Sequence, residues 1–406
     1  MSDHVNLDAQ ALRGFVEDVL KAAGMRPNPA AIVADTLIYA DLRGVASHGV
    51  ARLSSYLDRI RAGVMELDPQ MRLTRDAPAS GLLDAGNGFG QIAGVTAMDI
   101  AIAKAKSAGS AVVAVANSNH FGVAAYFAEQ ATRAGMVGIV LTNSSPAMTP
   151  YNTRVPLIGT NPIAFGLPAA TQRPIILDMS TSVVARGKIR LASLIGKSIP
   201  LGWAYDDRGV PTEDPHAALK GSLAPIGGPK GAGLALIIDL LAGVLTGTAL
   251  TGEVKNITDI SGPSRTGHLM IAFDVGSFIP LEVFGANVDK VVTNIKAMPS
   301  ADGGRSSCPA RWRPSVPKPE HARASAFPRI SSIHLGHSAP NFLAHLLFKQ
   351  RANFGIQPRP RCSGRADVPG LASQTQLVRI VQFASSPNFI RVPVHLRGIR
   401  IFPIST

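Results

Sequence analysis

Apolar residues recur at helical spacing through the first part of the chain. One stripe over residues 8–23 consists of Leu12, Phe15, Val16, Val19 and Leu20. A second helix is predicted to start at the prolines of residues 27–29 and to run to about Leu42. A third stripe consists of Val50, Leu53, Tyr56, Leu57 and Ile60. These patterns predict a helical domain over residues 1–75.

From Gly81 onward, short apolar runs alternate with helical stretches. The predicted strands cover residues 81–85, 112–117, 137–143, 161–168, 174–180 and 267–275, and the predicted helices cover 93–108, 124–135 and 182–196. This mixture predicts a mixed α/β (α+β) domain over residues 76–278. Residues 280–298 are again helical, and we expect the segment 279–304 to fold back on the first domain.

The segment GNGFGQ, residues 86–91, lies between a predicted strand and a predicted helix, as a dinucleotide-binding fingerprint does. Gln91 stands where the last glycine of the pattern GxGxxG belongs. We therefore expect that the domain is not a Rossmann fold.

The longest apolar run covers residues 231–250 and contains Asp239 near its centre. A carboxylate at that place disfavours a membrane span, so the run is interpreted as a buried helix. The N-terminus is polar and acidic, and nothing in it resembles a signal peptide. The two cysteines, Cys308 and Cys362, cannot form a disulfide framework. We expect a cytoplasmic protein that does not bind a membrane.

The net charge of +13 is confined to the last quarter of the chain. Residues 305–406 contain 15 Lys and Arg but only 2 Asp and Glu, whereas the residues before them carry no net charge. The segment also contains 12 of the 30 prolines. We expect it to fold poorly, with an isolated helix near residues 340–350. A basic nucleic-acid-binding tail is the alternative, but no recognisable binding module supports it, and we expect no nucleic-acid partner.

His48 and Arg52 carry the first candidate chemistry. Ser47 is a favourable N-cap, which predicts that His48 lies in the first turn of the third helix, where the helix dipole favours a neutral ring. Arg52 follows four residues later and shares a helix face with His48. The pair suits an anionic substrate that accepts a proton. The same spacing also fits an ordinary helix start with a surface arginine.

Small polar residues follow several predicted strands. They are His120, Asn143, Ser144, Ser145, Thr160, Asn161, Asp178, Ser180, Thr181 and Ser182, and Lys230 lies in the segment GGPKG. Hydroxyls and free backbone N–H groups at strand ends bind phosphate and ribose, although each residue alone also fits ordinary turn chemistry. A metal site on His48 and His120 is a further alternative, but no carboxylate lies at ligand spacing.

Seven segments in a fixed order carry a family resemblance. They are SHGVAR, GFGQ, SNHFG, GTNP, LDMSTSVVARGKI, IPLGWAYDDRGVPTEDP and GGPKGAGLAL. Over residues 5–304 the chain resembles the malate/L-lactate dehydrogenase-like family of NAD(P)-dependent reductases. The resemblance implies a helical domain and a non-Rossmann cofactor domain with a largely antiparallel sheet. It also implies a homodimer with its site between the domains.

The resemblance further implies roles for individual residues. His48 is similar to the family's proton donor, His120 to a second acid/base, and Arg52 to a ligand of the substrate carboxylate. Thr160 and Asn161 are expected to bind substrate. The expected contacts to NAD or NADP are Ser144, Asp178, Met179, Ser180, Thr181, Ser182 and Lys230. The implied reaction is hydride transfer between NAD(P)H and a small 2-oxo acid or a cyclic 2-imino acid.

The family pattern stops at Gly304. A Pro-Gly-Glu element that contacts the cofactor and a Gly-Ile-x-x-Pro-like end are expected after it, and neither is present. Residues 305–311 can be encoded so that a shifted reading frame spells Val-Leu-Leu-Pro-Gly-Glu-Met, and residues 322–328 so that the same frame spells Gly-Ile-Arg-Ile-Pro. We infer a frameshift near codon 304. Because the frameshift would remove a contact to the cofactor, a catalytically impaired binding protein is the alternative function.

Overall fold

Three helices come first in the computed structural model, which describes residues 4–300 and 389–393. They are α1 (Ala9–Ala22), α2 (Pro27–Leu42) and α3 (Leu53–Arg61). Asp8 caps α1 by accepting a hydrogen bond from the N–H of Ala11 at 2.9 Å. The apolar stripes of the three helices meet in one core, as their periodicity predicts, and Val16, Leu37 and Tyr56 are fully buried in it.

Eleven strands lie in the described part of the chain. They are β1 (His4–Asp8), β2 (Arg72–Ala77), β3 (Ser80–Asp84), β4 (Ser110–Ser118), β5 (Met136–Thr142), β6 (Ile163–Leu167), β7 (Ile175–Met179), β8 (Ala204–Tyr205), β9 (Ser222–Leu223), β10 (Thr266–Asp274) and β11 (Phe389–Pro393). Seven of them form the large sheet in the order β2-β3-β4-β10-β5-β6-β7. Only β3 and β4 pair in parallel. The predicted mixed fold with a largely antiparallel sheet is confirmed.

Six further helices follow along the chain. They are α4 (Gly90–Ala108), α5 (Ala125–Arg133), α6 (Arg186–Leu194), α7 (Pro215–Lys220), α8 (Pro229–Asp239) and α9 (Leu281–Ala297). One face of the sheet packs on α4 and α5, where Met98 and Phe127 meet Met270. The opposite face contacts the end of α8 through Ile238, which packs with Leu141. Successive strand residues point to opposite faces, which explains this division.

The apolar run over residues 231–250 is helical as predicted through residue 244, but it is buried on one side only, so the prediction of a buried helix is wrong in that respect. The run forms most of α8 and the π-helical turn Leu240–Val244 that follows it. Ile238 is buried, whereas the side chains of Ile237 and Leu245 are exposed. No helix within residues 4–300 and 389–393 is both long and apolar enough to span a membrane.

One edge of the sheet collects the loops that carry the predicted site residues. Strands β3, β4, β5 and β7 all run in the same direction, because β4 and β5 both lie antiparallel to β10. Their carboxyl ends therefore meet at one edge, together with the start of β6 and of β10. The loops after residues 84, 118, 142 and 179 are consequently neighbours.

Helix α9 and strand β11 lie apart from that edge of the sheet. Asp289 of α9 accepts hydrogen bonds from the backbone N–H and the hydroxyl of Thr171, beyond the end of β6. The fold-back of residues 279–304 on the helical domain stays a prediction. Strand β11 pairs antiparallel with β1 outside the large sheet, and the sequence does not predict it. The predicted helix near residues 340–350 lies outside the described residues.

Candidate active site

The segment that carries His48 folds differently from its prediction. Two 3-10 turns, Ala46–His48 and Val50–Arg52, precede α3, so Ser47 is not the N-cap and His48 is not in the first turn of the helix. The reason is the buried carboxylate of Asp41, which accepts a hydrogen bond from the N–H of Val50 at 2.8 Å. A Cβ at Gly49 would lie 1.9 Å from Asp41 Oδ1, so the segment wraps closely around this carboxylate.

The two predicted catalytic histidines are in contact. The rings of His48 and His120 are stacked, with centroids 5.3 Å apart and planes inclined by 24°. His48 Nδ1 lies 2.9 Å from the hydroxyl of Ser47. His120 comes from the loop after β4, which reaches across to the helical domain. Within residues 4–300 and 389–393, no group of three His, Cys, Asp or Glu side chains is placed to hold a metal ion.

Arg52 is on the same side as the two histidines. Its Nε donates to the backbone oxygen of Ser47 at 2.5 Å, which fixes the guanidinium beside His48. Burial lowers the pKa of Arg52, and the nearby positive charge of Arg190 on α6 lowers it further. The first turn of α6 touches this segment, since a Cβ at Gly187 would lie 3.5 Å from Ser47 Cβ. A partly desolvated guanidinium is well suited to hold a carboxylate.

Tyr56 contacts His120, and Gln91 contacts Tyr56. The sequence alone assigns neither residue to the site. The hydroxyl of Tyr56 lies 2.8 Å from His120 Nδ1. Gln91 donates from Nε2 to the same hydroxyl at 2.7 Å. Tyr56 is treated by its periodicity as a core residue, and it is indeed fully buried. Its spacing of four residues from Arg52 is the signal that could have identified it.

His268 stabilises the loop that carries His120 through contacts of its imidazole ring. Its Nδ1 lies 2.7 Å from the hydroxyl of Thr142, and its Nε2 lies 2.8 Å from that of Ser118. The ring of Phe121 stacks on it at 4.5 Å. Burial lowers the pKa of His268 to about 3, so this ring is neutral at physiological pH. It fixes both ends of the segment 118–121 to the central strand β10.

The environment keeps His120 neutral as well. Burial lowers the pKa of His120 well below its ordinary value, and the nearby positive charges of His48 and Arg52 lower it further. Asn119 beside it is held by the buried Arg59, whose Nη2 donates to Asn119 Oδ1 at 3.3 Å. Neutral imidazole is the form that can either donate or accept a single proton.

A second cluster lies at the same sheet edge around Ser144. The N–H of Ser144 donates to Asn161 Oδ1 at 2.9 Å, and the Asn161 amide donates in turn to the backbone oxygen of Ala235 at 2.9 Å. Asn161 is fully buried, and both ends of its amide are bonded within the protein. Thr160 lies beside Ser144, with the two hydroxyl oxygens 3.4 Å apart.

The loop after β7 joins this cluster. Thr181 donates from its backbone N–H and from its hydroxyl to the oxygen of Thr160, at 2.9 Å each. Asp178 accepts a hydrogen bond from the N–H of Ala125 at 3.0 Å and so fixes the start of α5. Met179 ends the strand. The hydroxyls of Ser180 and Ser182 lie 3.1 Å apart.

Lys230 lies at the start of α8, the helix that the Asn161 amide contacts through Ala235. Gly227 and Gly228 have φ values of 61° and 62°, a left-handed turn that glycine adopts without strain. The turn leads into α8, which begins at Pro229 and has no side-chain cap within the described residues, so the N–H groups of Lys230 and Gly231 have no side-chain partner at this helix start. Lys230 is exposed in this first turn. The hydroxyls, the N–H groups and this cation together fit the phosphates and ribose of a dinucleotide.

Comparisons with known proteins identify the family of the chain. Residues 7–310 match the family model described as malate/L-lactate dehydrogenase. The malate dehydrogenase of Pyrococcus abyssi is 41% identical over 302 residues, which cover 72% of this chain and 83% of that protein. The NAD(+)-dependent ureidoglycolate dehydrogenase of Escherichia coli is 37% identical over 300 residues, which cover 74% of this chain and 85% of the relative.

A solved structure agrees in fold. The delta1-piperideine-2-carboxylate reductase of Pseudomonas syringae superposes with a TM-score of 0.69 at 30% identity, covering 76% of this chain and 92% of that one. The names of the curated relatives include both NAD(+)- and NADP(+)-dependent enzymes. The chain therefore belongs to the malate/L-lactate dehydrogenase family and is an NAD(P)-dependent oxidoreductase.

Proposed function

We propose that the protein catalyses hydride transfer between NAD(P)H and the α-carbon of a small 2-oxo acid or a cyclic 2-imino acid. The observation that carries this proposal is the stacked pair of His48 and His120 beside the partly desolvated Arg52. A proton carrier and a carboxylate ligand at one place are what reduction of an α-oxo or α-imino acid requires.

Arg52 binds the substrate carboxylate. Its Nε is engaged with the backbone oxygen of Ser47, which leaves the terminal nitrogens of the guanidinium for the carboxylate oxygens. Low exposure to water strengthens such a contact, because the competing hydration is reduced. This contact holds the α-carbon of the substrate next to the two imidazole rings.

His48 delivers the proton to the oxygen or nitrogen that becomes alcohol or amine. His120 is kept neutral by burial and orients the reacting oxygen or nitrogen. NAD(P)H, when bound, supplies the hydride. The residues that would hold it are Ser144, Ser180, Thr181, Ser182 and Lys230, with the first N–H groups of α8 facing its phosphates.

The direct test is oxidation of NADH and NADPH in the presence of pyruvate, oxaloacetate, glyoxylate, 2,3-diketogulonate or piperideine-2-carboxylate. We expect turnover with at least one member of this panel and its loss in His48→Ala and His120→Ala. Activity that survives in both variants would overturn the assignment. His216→Ala, an exposed histidine of α7, is the matched control and is expected to keep full activity.

A second candidate is a binding protein with impaired catalysis. The observation in its favour is that the family match ends at residue 310 and the chain covers 83% of the length of its malate dehydrogenase relative. A frameshift near codon 304 would remove the expected Pro-Gly-Glu contact to the cofactor. Fluorescence titration with NADPH of this chain and of a chain with the other frame restored distinguishes the two. Equal affinities with full activity in this chain would exclude the impaired form.

The protein is proposed to act as a homodimer. Apolar side chains of α8 and α9, among them Ile237, Val283 and Val291, are exposed. Exposed apolar side chains that lie together mark contact surfaces, so these two helices are the proposed candidates. Sedimentation velocity is expected to give twice the chain mass for the wild type and a lower mass for Ile237→Lys. A wild-type monomer would exclude the dimer.

A further inference from the structure

Gln91, Tyr56 and His120 form a chain of hydrogen bonds that ends inside the protein. Gln91 and Tyr56 are both fully buried, so water does not compete for these bonds. Gln91 Nε2 donates to the Tyr56 hydroxyl at 2.7 Å, and that hydroxyl lies 2.8 Å from His120 Nδ1. The segment GFGQ is thus joined to the catalytic histidine by one tyrosine.

The position of Gln91 is fixed by the backbone next to it. Gly90 begins α4 so close to the His120 loop that a Cβ would lie 2.1 Å from the backbone oxygen of Asn119. This close approach places the amide of Gln91 within hydrogen-bond distance of the Tyr56 hydroxyl. The Oε1 atom of Gln91 is buried and has no hydrogen-bond partner within the described residues. The arrangement is therefore maintained although one polar atom stays unsatisfied, which is unusual in a folded protein.

The hydroxyl of Tyr56 has a single proton to donate. Its oxygen receives the proton of Gln91 Nε2, and in the described part of the chain its only other partner is His120 Nδ1. If Nδ1 carried the imidazole proton, the hydroxyl oxygen would face two donors and its own proton would have no acceptor. The consistent arrangement has Tyr56 donating to an unprotonated Nδ1.

We propose that Gln91, acting through Tyr56, is a positioning residue that selects the tautomer of His120 in which Nε2 carries the proton. Nε2 is the ring nitrogen that remains for a substrate, since Nδ1 is occupied by Tyr56. His120 in this tautomer is a hydrogen-bond donor that orients and polarises the substrate oxygen or nitrogen. This leaves proton delivery to His48, and that division of labour rests on the proposed function.

The test reads the tautomer directly. In protein labelled with ¹⁵N-histidine, the chemical shifts of the two ring nitrogens of His120, assigned through His120→Gln, distinguish the Nε2–H form from the Nδ1–H form. The measurement uses the full-length protein without substrate, so it does not depend on catalysis. We expect the wild type to carry the proton on Nε2 throughout the range in which the ring is neutral.

Two substitutions at Gln91 change the chain in different ways. In Gln91→Glu, the carboxylate that forms at alkaline pH accepts a hydrogen bond from the Tyr56 hydroxyl. The Tyr56 oxygen then accepts a hydrogen bond from His120 Nδ1–H, so the proton of the imidazole moves from Nε2 to Nδ1. Gln91→Met removes the donor and is expected to admit both tautomers. Both variants should lower kcat and leave KM for the substrate nearly unchanged, because Arg52 is intact. Gln130→Glu, at a partly buried glutamine of α5 that also has an unpaired oxygen, is the control and is expected to change neither readout.

A wild-type His120 with the proton on Nδ1 would overturn the proposal. So would an unchanged tautomer in both Gln91→Glu and Gln91→Met. A protein that shows the expected tautomers but reduces no member of the substrate panel would leave the positioning role intact and reject the proposed reaction instead. Thermal unfolding of each variant verifies that the fold is retained.

Discussion

The imidazole of His48 lies against the imidazole of His120 with a centroid separation of 5.3 Å. Two rings at this distance cannot both be positively charged without strong repulsion, and Arg52 adds a third positive charge to the same place. A positive charge on one ring therefore disfavours a positive charge on the other. In the proposed function this coupling makes the two histidines one unit, with the first contributed by the segment before α3 and the second by the loop after β4.

The coupling predicts non-additive losses of activity. His48→Gln and His120→Gln should each lower kcat by about 10²–10⁴-fold, the range of a general acid–base residue. The double variant should lose far less than the product of the two losses, because either substitution already disables the unit. Single-turnover oxidation of NADPH measures all three. A double variant whose loss equals the product would show that the histidines act independently.

Arg52 gives a second prediction. Arg52→Lys keeps the charge but loses the planar fork that can bind Ser47 and a carboxylate together. We expect kcat/KM to fall about 10–100-fold, mostly through KM, which corresponds to about 1.4–2.8 kcal/mol of binding. Steady-state kinetics with the best substrate measures it. Arg61→Lys at the end of α3, where the arginine side chain is 60% exposed, should change kcat/KM less than twofold. An equal loss there would show that the effect is not specific to the position of Arg52.

How far the sequence predicts this molecule depends on the length scale of the interaction. The stripes of α1 and α2 are local, and Asp8 and Pro27 mark their starts, so both helices are predicted within one or two residues. The fold around Ser47 is not local, since it depends on the carboxylate of Asp41 folding back on Val50. The prediction that Ser47 is an N-cap is wrong because this contact, between residues nine positions apart, determines the local fold.

The site shows the same contrast. His48, Arg52 and His120 are predicted as site residues from the chemistry of their side chains and from the family resemblance, and the structure brings the three together. Tyr56 and Gln91 were missed because an apolar stripe and a glycine motif explained them adequately. Their role exists only where α3, the start of α4 and the loop after β4 meet. The periodicity of a single helix gives no information about a contact that three separate segments form together.

Asp41 predicts an unusual dependence of stability on pH. Burial raises the pKa of this carboxyl to about 7, and the hydrogen bond from Val50 offsets only part of the effect. The folded state thus holds the proton more tightly than the unfolded chain. Its contribution to stability is complete below about pH 4 and is lost as pH rises through about 7. Each tenfold difference in proton affinity is worth about 1.4 kcal/mol, so the loss is at most about 4 kcal/mol.

Asp41→Asn tests this dependence. The variant stays uncharged and can still accept the hydrogen bond from Val50. We expect the free energy of unfolding of the wild type to fall relative to that of Asp41→Asn between about pH 5 and pH 8, as measured by urea denaturation. Asp58→Asn, at a carboxylate that is 54% exposed, should show no such trend. A constant difference between wild type and Asp41→Asn across this range would mean that Asp41 does not titrate there.

Gly90 predicts opposite outcomes for one substitution made at two glycines. A Cβ at Gly90 would lie 2.1 Å from the oxygen of Asn119 and 2.8 Å from the backbone carbon of His120, and backbone atoms cannot rotate away. Gly90→Ala should therefore lower the free energy of unfolding by about 1–3 kcal/mol and displace the His120 loop, with a loss of kcat. At Gly14 in α1, nothing lies within 4 Å of the added atom. Gly14→Ala should raise stability by about 0.5–1 kcal/mol and leave kcat unchanged, because alanine restricts the unfolded chain. Thermal and urea unfolding with steady-state kinetics compare the two, and a Gly90→Ala protein as stable and active as Gly14→Ala would refute the close contact between α4 and the His120 loop.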